Sequence, residues 1–232
     1  SNSLNNIHYG YPDFQFRSRK PAAIQPQRIT TPIQPSLTLA TSTTVVNYSS
    51  PVQFTASIQQ AWNAAGVANF WIDDQPLCTD VPMVNGSAQC ETSDLPVGHF
   101  NVTADVTFPG NLDVLPADAS LQQTVVAIAP GAPRLVDVAT DAGTARFFLL
   151  PPSNSGGVAI TRYSVFCTDG VNEFGSFGPS SPLRLDGLQD FVTYGCVLQA
   201  RNAVGDGPFS ELFLLTPPWN LMFRDGFEDA VN

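Results

Sequence analysis

The sequence predicts an all-β protein: two tandem β-sandwiches with extended N- and C-terminal tails. Three observations predict it. Charged residues make up only 13% of the 232 residues, while Pro (20) and Gly (17) are plentiful. That composition suits many short strands joined by punctuated turns, not long amphipathic helices. Apolar and polar residues alternate with period two in short runs bounded by turn signals. The four cysteines fall two in each half, Cys78 and Cys90, then Cys167 and Cys196. A hydrophobic content of 43% is enough for real cores, and the length accommodates two domains of about a hundred residues each.

Residues 1–34 read as an extended Pro-rich arm. Pro12, Pro21, Pro26 and Pro32 forbid a continuous helix or a central strand. Ile7, Tyr9 and Tyr11 nevertheless alternate with other residues, and Phe14 and Phe16 repeat that spacing. This is how a strand with one buried face reads, so these five side chains are expected to pack on the body of the chain or on a neighbour. The arm holds Arg17, Arg19, Lys20 and Arg28 against Asp13, a net of +3; the remaining residues hold 6 basic against 19 acidic, a net of −13.

Residues 35–128 form the first expected sandwich. Leu37 and Leu39 begin an alternation that Val52, Phe54, Ala56 and Ile58 continue, and Val67 to Ile72 is a mostly apolar run ended by Asp73-Asp74-Gln75-Pro76. Asn85-Gly86 is the strongest hairpin signal in the chain, because both positions tolerate positive φ. After Leu95-Pro96-Val97-Gly98, the residues Phe100, Val102, Ala104 and Val106 alternate again. A two-residue Asn85-Gly86 hairpin sets Cys90 opposite Val81, not Cys78, and a bulge near Pro82 would close that gap. The segments PVQFTASI, GVANFWIDDQPL and VNGSAQCETSDLPVGHFNVTADVTFPG together resemble the bacterial Ig-like repeat domains of surface and secreted proteins. Ala68-Asn69 in the third strand and the cysteine pair depart from that family's pattern.

APGAP at 129–133 has linker composition, and residues 129–216 form the second expected sandwich. Alternation resumes there at Leu135, Val136 and Val138, then at Ala145, Phe147 and Leu149. Tyr163, Val165 and Cys167 share one face, as do Tyr194, Cys196, Leu198 and Ala200. FFLLPPSNSGGVAITRYSV and LDGLQDFVTYGCVLQARNAVGDGPFS resemble the fibronectin type III fold. That resemblance implies a tyrosine corner from Leu188 to Tyr194, with the Tyr194 hydroxyl bonded to nearby backbone. It also implies that Cys167 and Cys196 face one another on neighbouring antiparallel strands. Leu149 stands where the family usually has Trp, so the disulfide is expected to replace lost core volume.

Residues 217–232 are a second tail, in which Trp219, Leu221 and Phe223 alternate before MFRDGFEDA. Trp219 and Phe223 are expected to cap the second sandwich, and the F-x-D-G-F-E segment resembles endings of exported proteobacterial proteins.

An even cysteine count split between the halves predicts two intradomain disulfides and hence an extracellular or cell-surface location; the resemblance to bacterial Ig-like repeats implies export by a bacterium. The chain begins at Ser1 and is read as a mature form whose targeting segment has been removed. No apolar stretch approaches the ~20 residues of a membrane helix, and a net charge of −10 argues against nucleic acid as a partner. His8 and His99 have no nucleophile in a recognisable pattern, and no hydrolase elbow, zinc motif, phosphate loop or dinucleotide fingerprint occurs. Asp73-Asp74 reads as a turn, and Asp225, Glu228 and Asp229 lack the spacing of a calcium loop. Asn47, Asn85 and Asn101 fit N-x-[ST] and carry little weight in a bacterial context. The chain is therefore expected to be no enzyme and to need no cofactor or metal.

The function expected is that of an extracellular structural or adhesive protein, a cell-surface assembly or filament subunit whose N-terminal arm adds a strand to a neighbour. Edge strands are usually guarded by lysine, and this chain has one, Lys20. Its expected partners are further copies of itself, or other cell-surface proteins and glycans. The alternative is a spacer or a carbohydrate- or receptor-binding module of a larger secreted protein such as a polysaccharide hydrolase. Trp62, Trp71 and Trp219 are the candidate sugar platforms; Trp71 is expected in the core and Trp62 in a polar loop.

Overall fold

Fifteen strands, and among the described residues no helix, make up the fold. The computed structural model describes residues 31–59, 65–111 and 113–218. The arm positions Ile7, Tyr9, Tyr11, Phe14 and Phe16, and also His8, Trp62 and the tail from Trp219 onward, lie outside the described residues.

The first sandwich packs a three-stranded sheet on a five-stranded one. The former has the order β1 (Leu37–Thr41), β3 (Val52–Ile58), β6 (Ser87–Thr92). The latter has the order β2 (Val45–Asn47), β8 (Ala117–Val126), β7 (Gly98–Thr107), β4 (Val67–Ile72), β5 (Gln75–Pro82). β2 lies parallel to β8; every other ladder is antiparallel. Period-two alternation decides which side chains meet between the sheets. Phe54, Ala56, Ala68, Phe70, Val102, Ala104 and Val106 are fully buried there. Each Phe so placed contributes about 2–3 kcal/mol of burial. Gln123 is a polar member of this interior, and the Thr41 hydroxyl, 2.9 Å from its Oε1, satisfies it. Ile33 also belongs to this body: its N–H donates to the Asp113 carbonyl and its carbonyl accepts from the Leu115 N–H.

The second sandwich packs the order β13 (Leu183–Asp186), β10 (Thr144–Leu150), β9 (Arg134–Asp141) on the order β12 (Glu173–Gly178), β11 (Ile160–Thr168), β14 (Tyr194–Asn202), β15 (Phe213–Leu215). Its core holds Phe147, Val165, Tyr194 and Leu198 fully buried, with Leu149 among them. Leu135 and Val138 both pack on that core although they are three residues apart. A bulge against Phe148 and Leu149 reconciles them, leaving Val136 as the extra residue, exposed to solvent.

The Asn85-Gly86 turn forms, with φ of 52° and 77°, closed by reciprocal hydrogen bonds between Val84 and Ser87. The hairpin register expected beyond it does not. β5 pairs with β4 and β6 pairs with β3, so the turn carries the chain from one sheet to the other. Cys90 therefore never meets Val81; a bulge does lie near Pro82, at Thr79 and Asp80, but it belongs to the pairing of β5 with β4 and not to a β5–β6 hairpin. The β4–β5 ladder shifts register twice, with Ala68 paired with Val81, Phe70 with Cys78 and Trp71 with Pro76. The surplus residue between Cys78 and Val81 re-aims β5 so that Cys78 sits on the same side as the buried Phe70. Asp80 takes the positive φ of 55°, and its N–H donates to Asn69 Oδ1 at 2.9 Å. The outcome is a Cys78–Cys90 disulfide that ties the two sheets together across the core. The true two-residue hairpin of this region is Asp73-Asp74, both at positive φ, between β4 and β5.

The segment between the sandwiches is held at several points. The Ile128 N–H donates to the Gly156 carbonyl, the Gly131 N–H to the Asn154 carbonyl, and Pro130 is fully buried. Asn202, 1% exposed at the end of β14, reaches back to it: Nδ2 donates to the Ile128 carbonyl at 2.7 Å and the Ser155 carbonyl at 2.9 Å. Its Oδ1 accepts from the N–H groups of Val204 and Gly205. Gly157, at φ 83°, faces the side chains of Val97 and Tyr48 of the first sandwich so closely that a Cβ there has no room.

Candidate binding face

On β11 the inward residues are Tyr163, Val165 and Cys167, so alternation turns Arg162, Ser164, Phe166 and Thr168 outward. Registers carry that outward set across the sheet. Phe166 stands between Gly175 on β12 and Val197 on β14, and Ser164 between Phe177 and Gln199. Thr168 stands between Glu173 and Gly195, and Gly195 is followed by Leu214 on β15. The outer face thus carries large aromatic and aliphatic side chains among its polar ones, where a solvated sheet face is usually polar. Phe177 is 73% exposed, Leu214 72%, Leu212 67% and Phe166 43%.

The two glycines shape this face. Neither Gly175 nor Gly195 supplies a side chain beside Phe166, and Leu212 leans over Gly195 to within 3.3 Å of where a Cβ would be. The result is a groove of about 330 Å³ whose lining includes Phe166, Thr168, Glu173, Gly195, Val197 and Leu212. Its walls are fixed by ring contacts. Phe209 meets Phe166 edge-on with centroids 5.8 Å apart, and the Arg162 guanidinium lies 5.7 Å from the Phe177 ring centre. Asp206 accepts from both Arg162 and Arg201, neutralising one of the two positive charges at that end.

The opposite end of the groove is acidic. Glu173 lines it, and Asp169 lies in the β11–β12 turn. Hydrogen bonds from the N–H and side-chain amide of Asn172 and from the Val171 N–H hold the Asp169 carboxyl below the usual aspartate range, so it is ionised at neutral pH.

Beneath this face lie the residues that the sequence singled out. Cys167 pairs with Cys196 across β11 and β14, and the two form a disulfide in the core. Tyr194 is fully buried, and its hydroxyl accepts from the Gln189 N–H at 2.8 Å, beside the buried Leu188. In the loop-entropy account a cross-link over 29 residues is worth about 3.5 kcal/mol. The double variant C167A/C196A is accordingly expected to lose about that much in urea unfolding, and a loss below 1 kcal/mol would refute the assignment of this bridge as a main support of the second sandwich.

Trp71 is not in the core. It alternates with the buried Phe70 and therefore faces outward on β4, half-buried, with its indole N–H donated to Asp105 Oδ2 at 2.9 Å and Asn69 bonded to the same carboxylate. Asp73 is a turn residue whose carboxylate accepts from the Asn101 N–H, and His99 lies exposed against Thr124. Among the described residues no three His, Cys, Asp or Glu side chains gather as a metal site, and no helix is long and apolar enough to cross a membrane.

The aromatic face was legible in one respect only. The run Tyr163-Ser164-Val165-Phe166-Cys167 obliges Phe166 to point away from the core once its neighbours point in. The contributions of Phe177, Phe209, Leu212 and Leu214 depend on registers and loops that alternation does not reveal.

No family model matches the chain, and no curated protein matches it. Among solved structures, a crystal structure of domains from titin is 15% identical, with a TM-score of 0.37, over 75% of this chain and 60% of that one. The FN1–FN3 domains of chicken CNTN1 are 12% identical, with a TM-score of 0.36, over 81% of this chain and 68% of that one. A fibronectin type III domain from the human KIAA0970 protein is 20% identical, with a TM-score of 0.32, over 38% of this chain and 72% of that one. With each of these TM-scores below 0.5, the assignment rests on the chain's own strand order: this is an all-β protein of two tandem Ig-like and fibronectin type III-like sandwiches.

Proposed function

We propose that the chain is a non-catalytic extracellular structural or adhesive protein, exported by a bacterium, that assembles with copies of itself through its N-terminal arm. The observation that carries this reading is the uncovered apolar face of the second sandwich, with Phe166, Phe177, Leu212 and Leu214 exposed together. Contiguous exposed apolar surface of this kind marks an interaction site. The arm offers the complement: apolar side chains at period two, on the one segment with net positive charge. Open edges offer places for an added strand. β12 pairs only with β11 and carries no Lys, Arg or Pro to block a further strand. Both cysteine pairs are closed as disulfides, the state that an oxidising compartment maintains.

Light scattering on the full chain beside a version lacking residues 1–31 tests the reading. The cut stops before Ile33 because that residue is bonded into the first sandwich. Oligomers of the full chain and a single-chain mass for the truncation are expected; single-chain mass for both would remove the basis for assembly. A second reading, a spacer or glycan-binding module of a larger secreted protein, is favoured by Trp71, which faces outward beside Asn69 and Asp105. Glycan binding that disappears in Trp71→Ala, without any assembly, would select it.

A further inference from the structure

We infer that the groove beside Phe166 is the receptor for the arm of a second copy, with Phe14 and Phe16 entering it and the basic run after them meeting Glu173 and Asp169. The inference rests on the assembly reading above and adds the address at which the arm docks.

Charge selects the occupant. Two bodies, each at −13, repel one another, and the one segment of net positive charge is the arm, at +3. Within the arm, three of its four basic residues lie between Arg17 and Lys20, directly after Phe14 and Phe16. The groove has the matching order. Its apolar floor is Phe166, Val197 and Leu212, and its acidic end is Glu173, next to the Asp169 turn. The basic end of the same face is already occupied internally, because Asp206 takes both Arg162 and Arg201. An arm laid with its aromatics on the floor therefore has one favourable direction, with its arginines toward Glu173.

Shape agrees with charge. Residues two apart on an extended strand are about 6.8 Å apart. Phe166 and Thr168 are also two apart on one strand, so the rows Gly175–Phe166–Val197 and Glu173–Thr168–Gly195 have that same spacing and two arm aromatics span them. Each row contains a glycine: Gly175 leaves space beside the Phe166 ring, and Gly195 leaves space beside Thr168. A buried aromatic anchor flanked by an ion pair at the rim is the usual anatomy of a specific contact.

The test uses full-length variants, each first checked for an unfolding midpoint within a few degrees of the parent. Phe166→Ser/Leu212→Ser, both on exposed positions, is expected to weaken self-association at least tenfold in light scattering. Phe14→Ser/Phe16→Ser is expected to do the same. Glu173→Arg is expected to weaken it severalfold, and combining it with Arg17→Glu/Arg19→Glu to recover most of the loss. If the arm variant falls to single-chain mass while the Phe166→Ser/Leu212→Ser variant still assembles, the arm docks elsewhere; this inference fails and the assembly reading stands. If the charge swap restores nothing, the proposed direction of docking is wrong and the inference fails. If the parent itself has single-chain mass, both fail.

Discussion

Asn202→Ala is expected to lower the unfolding midpoint of the second sandwich by roughly 20 °C, a loss of about 4 kcal/mol in a domain of this size. The side chain is enclosed and makes four hydrogen bonds, two given to the Ile128 and Ser155 carbonyls and two taken from the Val204 and Gly205 N–H groups. A made hydrogen bond contributes about 1 kcal/mol net, and stranding a buried partner costs about 1–3 kcal/mol. Partial rehydration of the loop at Val204, which is exposed, limits the total. Asn202→Asp separates the two halves of the clasp. It keeps the acceptor for the Val204 and Gly205 N–H groups and turns a carboxylate toward two carbonyls, so it is expected to be at least as damaging as alanine. Differential scanning calorimetry resolves the question, because the first sandwich has its own core and supplies an internal reference. A shift of less than 5 °C for both variants would show that Asn202 does not hold the chain segment it touches.

Gly156→Ala is expected to be worse, at about 5 kcal/mol. The residue sits at φ 79°, where a β-carbon costs about 1–2 kcal/mol by itself. That carbon would also land on the Ile128 carbonyl and within 2.7 Å of Asn202 Nδ2, backbone on one side and the clasp on the other. Neither can yield without breaking the hydrogen bonds between Ile128, Gly156 and Asn202. Gly187→Ala is the control. Its φ of 84° is equivalent, and nothing lies within 4 Å of its missing Cβ, so it should cost only the conformational 1–2 kcal/mol. Equal losses in Gly156→Ala and Gly187→Ala, measured by urea unfolding, would mean that the close approach to Ile128 carries no energy of its own.

These two residues show where sequence reasoning stopped. Alternation identifies the core well, because a half-buried strand imposes a period that the side chains must obey: Phe54, Phe70, Val102, Val106, Phe147, Val165 and Leu198 are all interior. The same rule misleads wherever the backbone breaks its own period. Leu135, Val136 and Val138 were expected to alternate, and the bulge at Val136 is why they do not. The surplus residue in β5 turns Cys78 inward, which no count from Asn85-Gly86 anticipates. That turn was correctly read as a tight turn, since Asn and Gly both accept positive φ. Its placement between sheets was not legible, because a turn's local conformation does not say which strands its flanks will pair with. Trp71 illustrates a third limit: its neighbour Phe70 faces the core, so the indole faces out, and only the strand's phase distinguishes them. Asn202 and Gly156 form one unit across more than forty residues of sequence, and nothing local to either position announces the other.

The two disulfides differ in what they connect, and the difference governs how the chain would behave if pulled from its ends. Cys167–Cys196 joins neighbouring strands of one sheet, whereas Cys78–Cys90 joins opposite sheets. Force entering either sandwich along the backbone would pass through a covalent shortcut. The 29-residue span behind Cys167–Cys196 would stay unextended even with every surrounding strand peeled away. At about 3.4 Å per residue, that withholds on the order of 100 Å of contour length from the second sandwich. The 12-residue span behind Cys78–Cys90 withholds about 40 Å from the first. A reducing environment would release both lengths, so the extensibility of any fibre built from these units would be set by its redox surroundings as well as by its folds.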